Sequence, residues 1–198
     1  MMRQLLALAL CLGIAPLPRL AAQWSVALEA AASYYGGASR DTAADPTAIR
    51  PHHPTGLGVR VDRRLGRLGV GVAAALARPD VIVENSGAGA ILKGALDLYE
   101  IAPEATVLVS RASSVVAVRV HAGPLIDIWS PSGEGTRTRL GGHAGLSLEC
   151  PIGGRFAGSI RAGGALTGSL FDDGELPSGF ERRAMWRSSV ALSLRYRL

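Results

Sequence analysis

The sequence predicts an all-β chain folded as an eight-stranded antiparallel up-and-down transmembrane β-barrel. Three observations carry that expectation. Val190, Leu192, Leu194, Tyr196 and Leu198 are apolar, with Ala191, Ser193, Arg195 and Arg197 between them; strict alternation marks a strand whose two faces meet different surroundings. After Ala22 no run reaches the roughly 18 unbroken apolar residues of a spanning helix, whereas short alternating runs separated by Gly, Pro, Asp and Ser recur throughout. The connections between those runs also alternate between long and short.

The predicted strands are Trp24 to Tyr34, Thr55 to Arg63, Arg67 to Ala77, Ala90 to Ile101, Ser114 to Ile128, Thr138 to Glu149, Gly154 to Gly168 and Met185 to Leu198. The first contains Ala30-Ala31-Ala32, which also suits a helix by propensity. Pro124 interrupts the fifth, where it is expected to mark a bulge or the strand's exit. Val107-Leu108-Val109 is a candidate short strand of its own. The seventh is Gly-rich, which weakens a strand but suits a tight bend of a barrel.

The connections Tyr35 to Pro54, Arg78 to Gly89, Trp129 to Arg137 and Ser169 to Ala184 are the longer ones. Arg63 to Gly66 and Cys150 to Gly153 are tight, and Ala102-Pro103-Glu104 is intermediate. Long connections at odd positions and shorter ones at even positions are expected of a bacterial barrel with both termini in the periplasm.

Residues 1–22 read as a cleaved signal peptide and 23–198 as the barrel domain. Arg3 supplies the positive n-region, Leu5 to Ile14 the apolar region, and Leu20-Ala21-Ala22 the small-residue cleavage site. A transmembrane anchor is disfavoured by Pro16, Pro18 and Arg19. Leu10 before Cys11 is too bulky for a lipoprotein site. Cys150 is then the one cysteine of the mature chain, and a lone cysteine forms no internal disulfide. The pI of about 9.9 invites a nucleic-acid reading, but the basic residues are dispersed and Lys93 is the only lysine, so no nucleic-acid partner is expected.

Sorting each strand by parity separates two faces. One carries Trp24, Val26, Leu28; Leu57, Val59, Val61; Leu68, Val70, Val72, Leu76; Leu92, Leu96, Leu98; Val116, Val118, Val120, Ile126, Ile128; Leu140, Leu146, Leu148; Phe156, Ile160, Leu166; and Trp186 with the C-terminal stripe. Glu100 is the exception. The other face carries Glu29, Arg60, Asp62, Lys93, Asp97, Arg119, His121, Asp127, Arg139, His143, Glu149, Arg155, Arg161, Arg187, Arg195 and Arg197. Pattern alone orients neither face inward. Export, even strand number and the terminal strand favour apolar-out; polar-out describes a soluble periplasmic lipocalin-like ligand-binding barrel. An eight-stranded barrel has an interior just wide enough to be filled by side chains, and enclosed charges need partners. A packed arginine–carboxylate network is therefore expected. Trp24 and Tyr196 are expected at the periplasmic rim, and Tyr34, Trp129 and Trp186 nearer the outer rim.

Carried by Val190-Ala191-Leu192-Ser193-Leu194-Arg195-Tyr196-Arg197-Leu198, the chain resembles the small eight-stranded OmpA/OmpX-like outer-membrane β-barrel proteins. In that class the last strand is the signal read by the barrel-assembly machinery. Tyr196, Leu194, Leu192 and Val190 match the pattern; Leu198 departs from it, since a terminal aromatic is usual. The resemblance implies outer-membrane lipids and lipopolysaccharide as surroundings and leaves any extracellular partner unnamed. After the barrel strands no peptidoglycan-binding domain is expected.

No catalytic, cofactor-binding or metal residue is assigned from the sequence. Outer-membrane deacylases, which resemble this architecture, place a His and a Ser two apart on a strand; His121-Ala122-Gly123 and His143-Ala144-Gly145 do not match. A Ser–His pair brought together by folding, such as Ser147 with His121 or His143, is the nucleophile arrangement the sequence leaves open. Asp172-Asp173-Gly174-Glu175 lacks the spacing of a Ca²⁺ loop and reads as a solvated acidic loop. His52-His53 are expected to point apart on an extended chain. Gly153-Gly154 and Gly163-Gly164 open no helix, so no phosphate loop is indicated. The expected protein is a non-enzymatic outer-membrane barrel with a side-chain-plugged interior, acting structurally or through its long outer loops. A lipid- or lipopolysaccharide-modifying enzyme is the alternative from another class.

Overall fold

The structure, a computed structural model, describes residues 23–41, 47–85, 88–110, 115–132, 135–172, 174–176 and 178–198. The signal-peptide expectation falls on residues 1–22 and lies outside them. All elements among the described residues are strands: β1 (Gln23–Asp41), β2 (Ala48–His52), β3 (Thr55–Leu65), β4 (Leu68–Ala77), β5 (Asp80–Glu84), β6 (Gly89–Leu92), β7 (Leu96–Leu108), β8 (Ala117–Pro131), β9 (Arg137–Gly153), β10 (Phe156–Thr167) and β11 (Phe180–Arg197).

Eight of them close a barrel. Antiparallel neighbours follow the order β1, β3, β4, β7, β8, β9, β10, β11, and β11 pairs back to β1 from Ser25↔Arg197 to Asp41↔Phe180. Closure leaves no sheet edge inside the barrel wall. Each predicted strand corresponds to one barrel strand. β1 and β11 run to 19 and 18 residues, well past the roughly 10 residues that cross a bilayer, so they project beyond the barrel. β2 joins the projecting part of β1 through Ser39↔Ile49, and β5 and β6 extend that sheet outward. Two of the long connections, Tyr35 to Pro54 and Arg78 to Gly89, thus contribute strand.

Gln23, the first described residue, and Leu198 share one end of the barrel with the tight β3–β4 and β9–β10 turns. We call this the turn end and the opposite one the loop end. Gly66 takes φ +63° in the first of these turns, a conformation that glycine adopts without the Cβ penalty.

Alternation decides the wall. Leu28, Leu57, Val59, Val61, Leu68, Val70, Val72, Leu140, Leu146, Ile160, Leu166, Val190, Leu192 and Leu194 all face outward, with Leu57 71% exposed. Arg60, Asp62, Arg119, His121, Asp127, Glu149, Arg161 and Arg195 are buried inside. An apolar band on every side far exceeds the few hundred Å² of a soluble monomer's largest patch. The apolar-out orientation is the observed one. Trp24 and Tyr196 flank the turn end and Tyr34 and Trp186 the loop end, all exposed; Tyr34 and Trp186 lie 5.4 Å apart between ring centroids.

Four expectations need correction. The β7 parity is reversed: Leu96 and Leu98 are buried, Glu100 and Glu104 face the lumen, and Tyr99, Ile101 and Val107 face outward. Asp97 instead meets exposed Arg78 at 3.1 Å, and Lys93 is exposed on the β6–β7 connection. The cause is that β7 runs through Ala102-Pro103-Glu104 to Leu108 instead of ending at Ile101, so two carboxylates choose the inward face. Arg155 is exposed, because it lies in the β9–β10 turn. Trp129 is 0% exposed and faces inward, so it belongs to the core and not to an aromatic rim. Pro124 neither bulges nor ends β8: the pairing Ile101↔Ile126 resumes at Ala105↔Ala122 without a register shift. Pro103 and Pro124 occupy that gap, where neither has an N–H to donate.

Candidate functional site

Among the described residues, the lumen holds most of the buried charged groups. At the turn end, Arg64 binds Glu149 bidentately at 2.9 and 2.5 Å. Arg195 donates to the same carboxylate at 3.1 Å and lies 3.4 Å from Asp62. Ser25 donates its hydroxyl proton to Asp62 at 2.9 Å. Arg119 and Arg197 stand farther from Glu149, at 3.8 and 3.9 Å. Four guanidiniums therefore surround two carboxylates. Arg64 was absent from the sequence-derived lumen set, because the predicted strand stopped at Arg63.

The middle of the lumen holds a balanced quartet. Arg60 grips Glu29 with two hydrogen bonds, at 2.9 and 2.8 Å, and also contacts Glu104. Arg161 donates to Glu104 at 2.9 Å and lies 3.9 Å from Glu29. Charge-assisted, bidentate contacts of this kind are the strong hydrogen bonds of proteins, and each charge here is satisfied by two opposite ones.

His121 and His143 border the quartet, with ring centroids 6.0 Å apart. His143 Nε2 lies 3.5 Å from the Pro103 carbonyl oxygen. A Cβ on Gly145 would stand 2.7 Å from His121 Nε2, so glycine makes room for the imidazole. Glu104, His121 and His143 come from three adjacent strands, with one potential donor atom of each within 4.8 Å of the others. The sequence reading missed this trio because it assigned Glu104 to a connection. Beside it lies a cavity of about 120 Å³, bordered by Glu29, Arg60, Arg161 and Arg187 as well as by Ala73, Ala165 and other small side chains.

The loop end is capped by apolar packing around one ion pair. Tyr35, Leu96, Leu98, Trp129, Leu170 and Met185 form a buried cluster, with Tyr35 edge-on to Trp129 at 5.8 Å. Arg187 pairs with Glu100 and donates to the Tyr35 hydroxyl at 3.1 Å. Leu170 reaches this cluster from the β10–β11 connection. Arg139 holds that connection through the Ser169 and Leu170 carbonyls and Asp172, at 2.6 Å, and Arg137 meets Glu175 at 2.8 Å. The acidic segment expected to be solvated thus takes arginines as its partners. Asp173 lies outside the described residues.

The remaining candidates are dispersed. Ser147 is buried on the lumen face of β9, and among the described residues no hydrogen bond joins it to His121 or His143. Cys150 is exposed near the turn end of the same strand. His52 and His53 do not point apart: their rings stack at 4.4 Å and 15°, because His53 takes φ +32° and breaks the extension.

No family model matches the chain, and no curated protein matches it. Solved structures do. Neisserial surface protein A (NspA) superimposes with a TM-score of 0.54 at 13% identity, covering 88% of this chain and 97% of that one. The outer membrane protein OprG from Pseudomonas aeruginosa gives 0.54 at 11% identity, covering 89% and 95%. The chain has the fold of the small eight-stranded outer-membrane β-barrels.

Proposed function

We propose that this protein is a non-enzymatic barrel of the bacterial outer membrane, with a lumen closed to diffusion and a loop end that works as a structural or interaction surface. One observation carries the reading: the apolar residues form a continuous outer belt while the arginines and carboxylates pair inside it. Such a belt is stable in lipid, and such a lumen leaves no wide aqueous path. In this reading the turn end faces the periplasm and the loop end faces outward. The sheet extension β2–β5–β6 then stands clear of the bilayer, and it ends on the exposed edge strand Gly89–Leu92. Unpaired edges of this kind accept strands from other chains. Lipopolysaccharide and outer-membrane lipid surround the belt, and β11 delivers the chain to the assembly machinery.

The lumen position of Ser147 speaks against the lipid-modifying alternative, since acyl chains lie on the opposite face of the wall. The test has three arms. Membranes extracted without detergent should retain the protein; release in soluble form refutes the reading. Planar bilayers containing the folded barrel should show no steady large conductance. Lipid A from cells with and without the protein should be identical; a lost acyl chain or altered headgroup would establish an enzyme.

A further inference from the structure

We propose that Glu104, His121 and His143 form a three-ligand site for a first-row transition cation of the zinc class. The argument starts from the donor set. Two imidazoles and one carboxylate suit zinc, copper or nickel, whereas magnesium and calcium demand oxygen cages. The three donor atoms lie within 4.8 Å of one another, close enough for one ion to touch all three with small side-chain rotations. They sit on β7, β8 and β9, a rigid wall and not a loop. Gly123 pairs with His143 and neighbours the Ala105↔Ala122 pair, so no side chain stands between the carboxylate strand and the second imidazole.

A separate observation points to a ligand. His121 is 5% exposed, and its Nδ1 has no hydrogen-bond partner. A buried ring nitrogen left unpaired is costly, and a metal ion satisfies it by accepting the lone pair. The surroundings supply the outer contacts that metal sites use. Arg161 and Arg60 orient the Glu104 carboxylate, and each of its oxygens keeps a second lone pair for an ion. Arg60 remains held by Glu29 at 2.9 and 2.8 Å whichever way Glu104 turns. Because Glu29, Glu104, Arg60 and Arg161 cancel in charge, the imidazoles contribute most of the affinity. This selects borderline, nitrogen-preferring cations over hard ones. The adjoining cavity of about 120 Å³ has room for the water that completes a tetrahedral shell.

The experiment uses the full barrel, untagged and folded in detergent, titrated with Zn²⁺ by calorimetry and with Co²⁺ by visible absorption. The stacked His52–His53 pair is removed first by His52→Ala and His53→Ala, so that it contributes no signal. The expected result is one saturable site per chain, Co²⁺ bands of tetrahedral or five-coordinate type, and displacement by Zn²⁺. His121→Asn or His143→Asn should then weaken binding by at least about tenfold, while heat-modifiable migration on gels shows that the barrel is still folded. Should both variants fail to fold, X-ray absorption of the zinc-loaded barrel lacking His52 and His53 decides: two imidazoles per zinc support the site, and none or one overturns it. Absence of saturable binding, or binding unchanged in folded His121→Asn and His143→Asn, also overturns it.

Discussion

Arg161 on β10 and Glu104 on β7 are separated by 57 residues in sequence and by 2.9 Å across the lumen. The two intervening strands, β8 and β9, must pair in register before the two groups can meet. The contact therefore reports closure of the barrel, not local structure. It also fixes the parity of β7, since a carboxylate turned toward acyl chains would stand unpaired in hydrocarbon.

Removing that carboxylate should be costly. Glu104→Gln leaves Arg60 and Arg161 to share Glu29, and loss of one member of a buried pair typically costs about 3–5 kcal/mol. Asp97→Asn, seven positions earlier on the same strand, touches only exposed Arg78 and should cost less than about 1 kcal/mol. Urea unfolding of both variants in lipid vesicles measures the difference. Equal costs would contradict the inward face of Glu104.

The outward face has its own test. Leu146 and Val118 lie on the apolar side of β9 and β8, and an arginine there costs about 2–4 kcal/mol at mid-bilayer depth. Leu146→Arg and Val118→Arg should lower the yield of heat-modifiable, membrane-inserted barrel. Arg119→Leu, on the opposite face of β8, should be tolerated within about 1 kcal/mol, because Glu149 keeps Arg64 and Arg195 and a surplus buried cation is removed.

Trp129 fills the loop end of the lumen. Trp129→Ala should destabilise the barrel by about 3–5 kcal/mol through the cavity it leaves. It should also raise single-channel activity in planar bilayers, where the unaltered protein is expected to show none that is steady and large. A silent Trp129→Ala barrel of undiminished stability would remove the aromatic cap from the account.

The β10–β11 connection is held by arginine clasps. Replacing Arg137 and Arg139 together by alanine removes the contacts to Glu175, Asp172 and the Ser169 and Leu170 carbonyls. Limited proteolysis should then cut within residues 169–179 while the barrel core remains intact on gels. Protection equal to that of the parent would show that Leu170 alone secures the segment.

Much of this protein could be read from local pattern. Alternation along a strand is a backbone property with period two, so the eight wall strands and the lumen positions of Arg60, His121, Glu149, Arg161 and Arg195 followed from parity once one face was chosen. Parity failed on β7. Leu96 and Leu98 are apolar and inward on the parity that Glu100 and Glu104 share, and their packing against Tyr35, Trp129, Leu170 and Met185 accommodates them there. Strand ends failed likewise at Arg63, where the chain continues to Arg64, and at Ile101, where Pro103 is accommodated opposite Pro124.

What the sequence by itself determined is the two-faced wall: a chain alternating Leu/Val with Arg/Asp separates an apolar stripe from a polar one with period two, while the pattern leaves open which stripe faces inward. What tertiary structure alone decided is which charges meet. The strand tilt and stagger of a closed barrel bring distant positions to one level of the lumen, and no spacing along the chain encodes that offset. Glu104, His121 and His143 become neighbours for that reason, and Arg139 finds Asp172 for the same one.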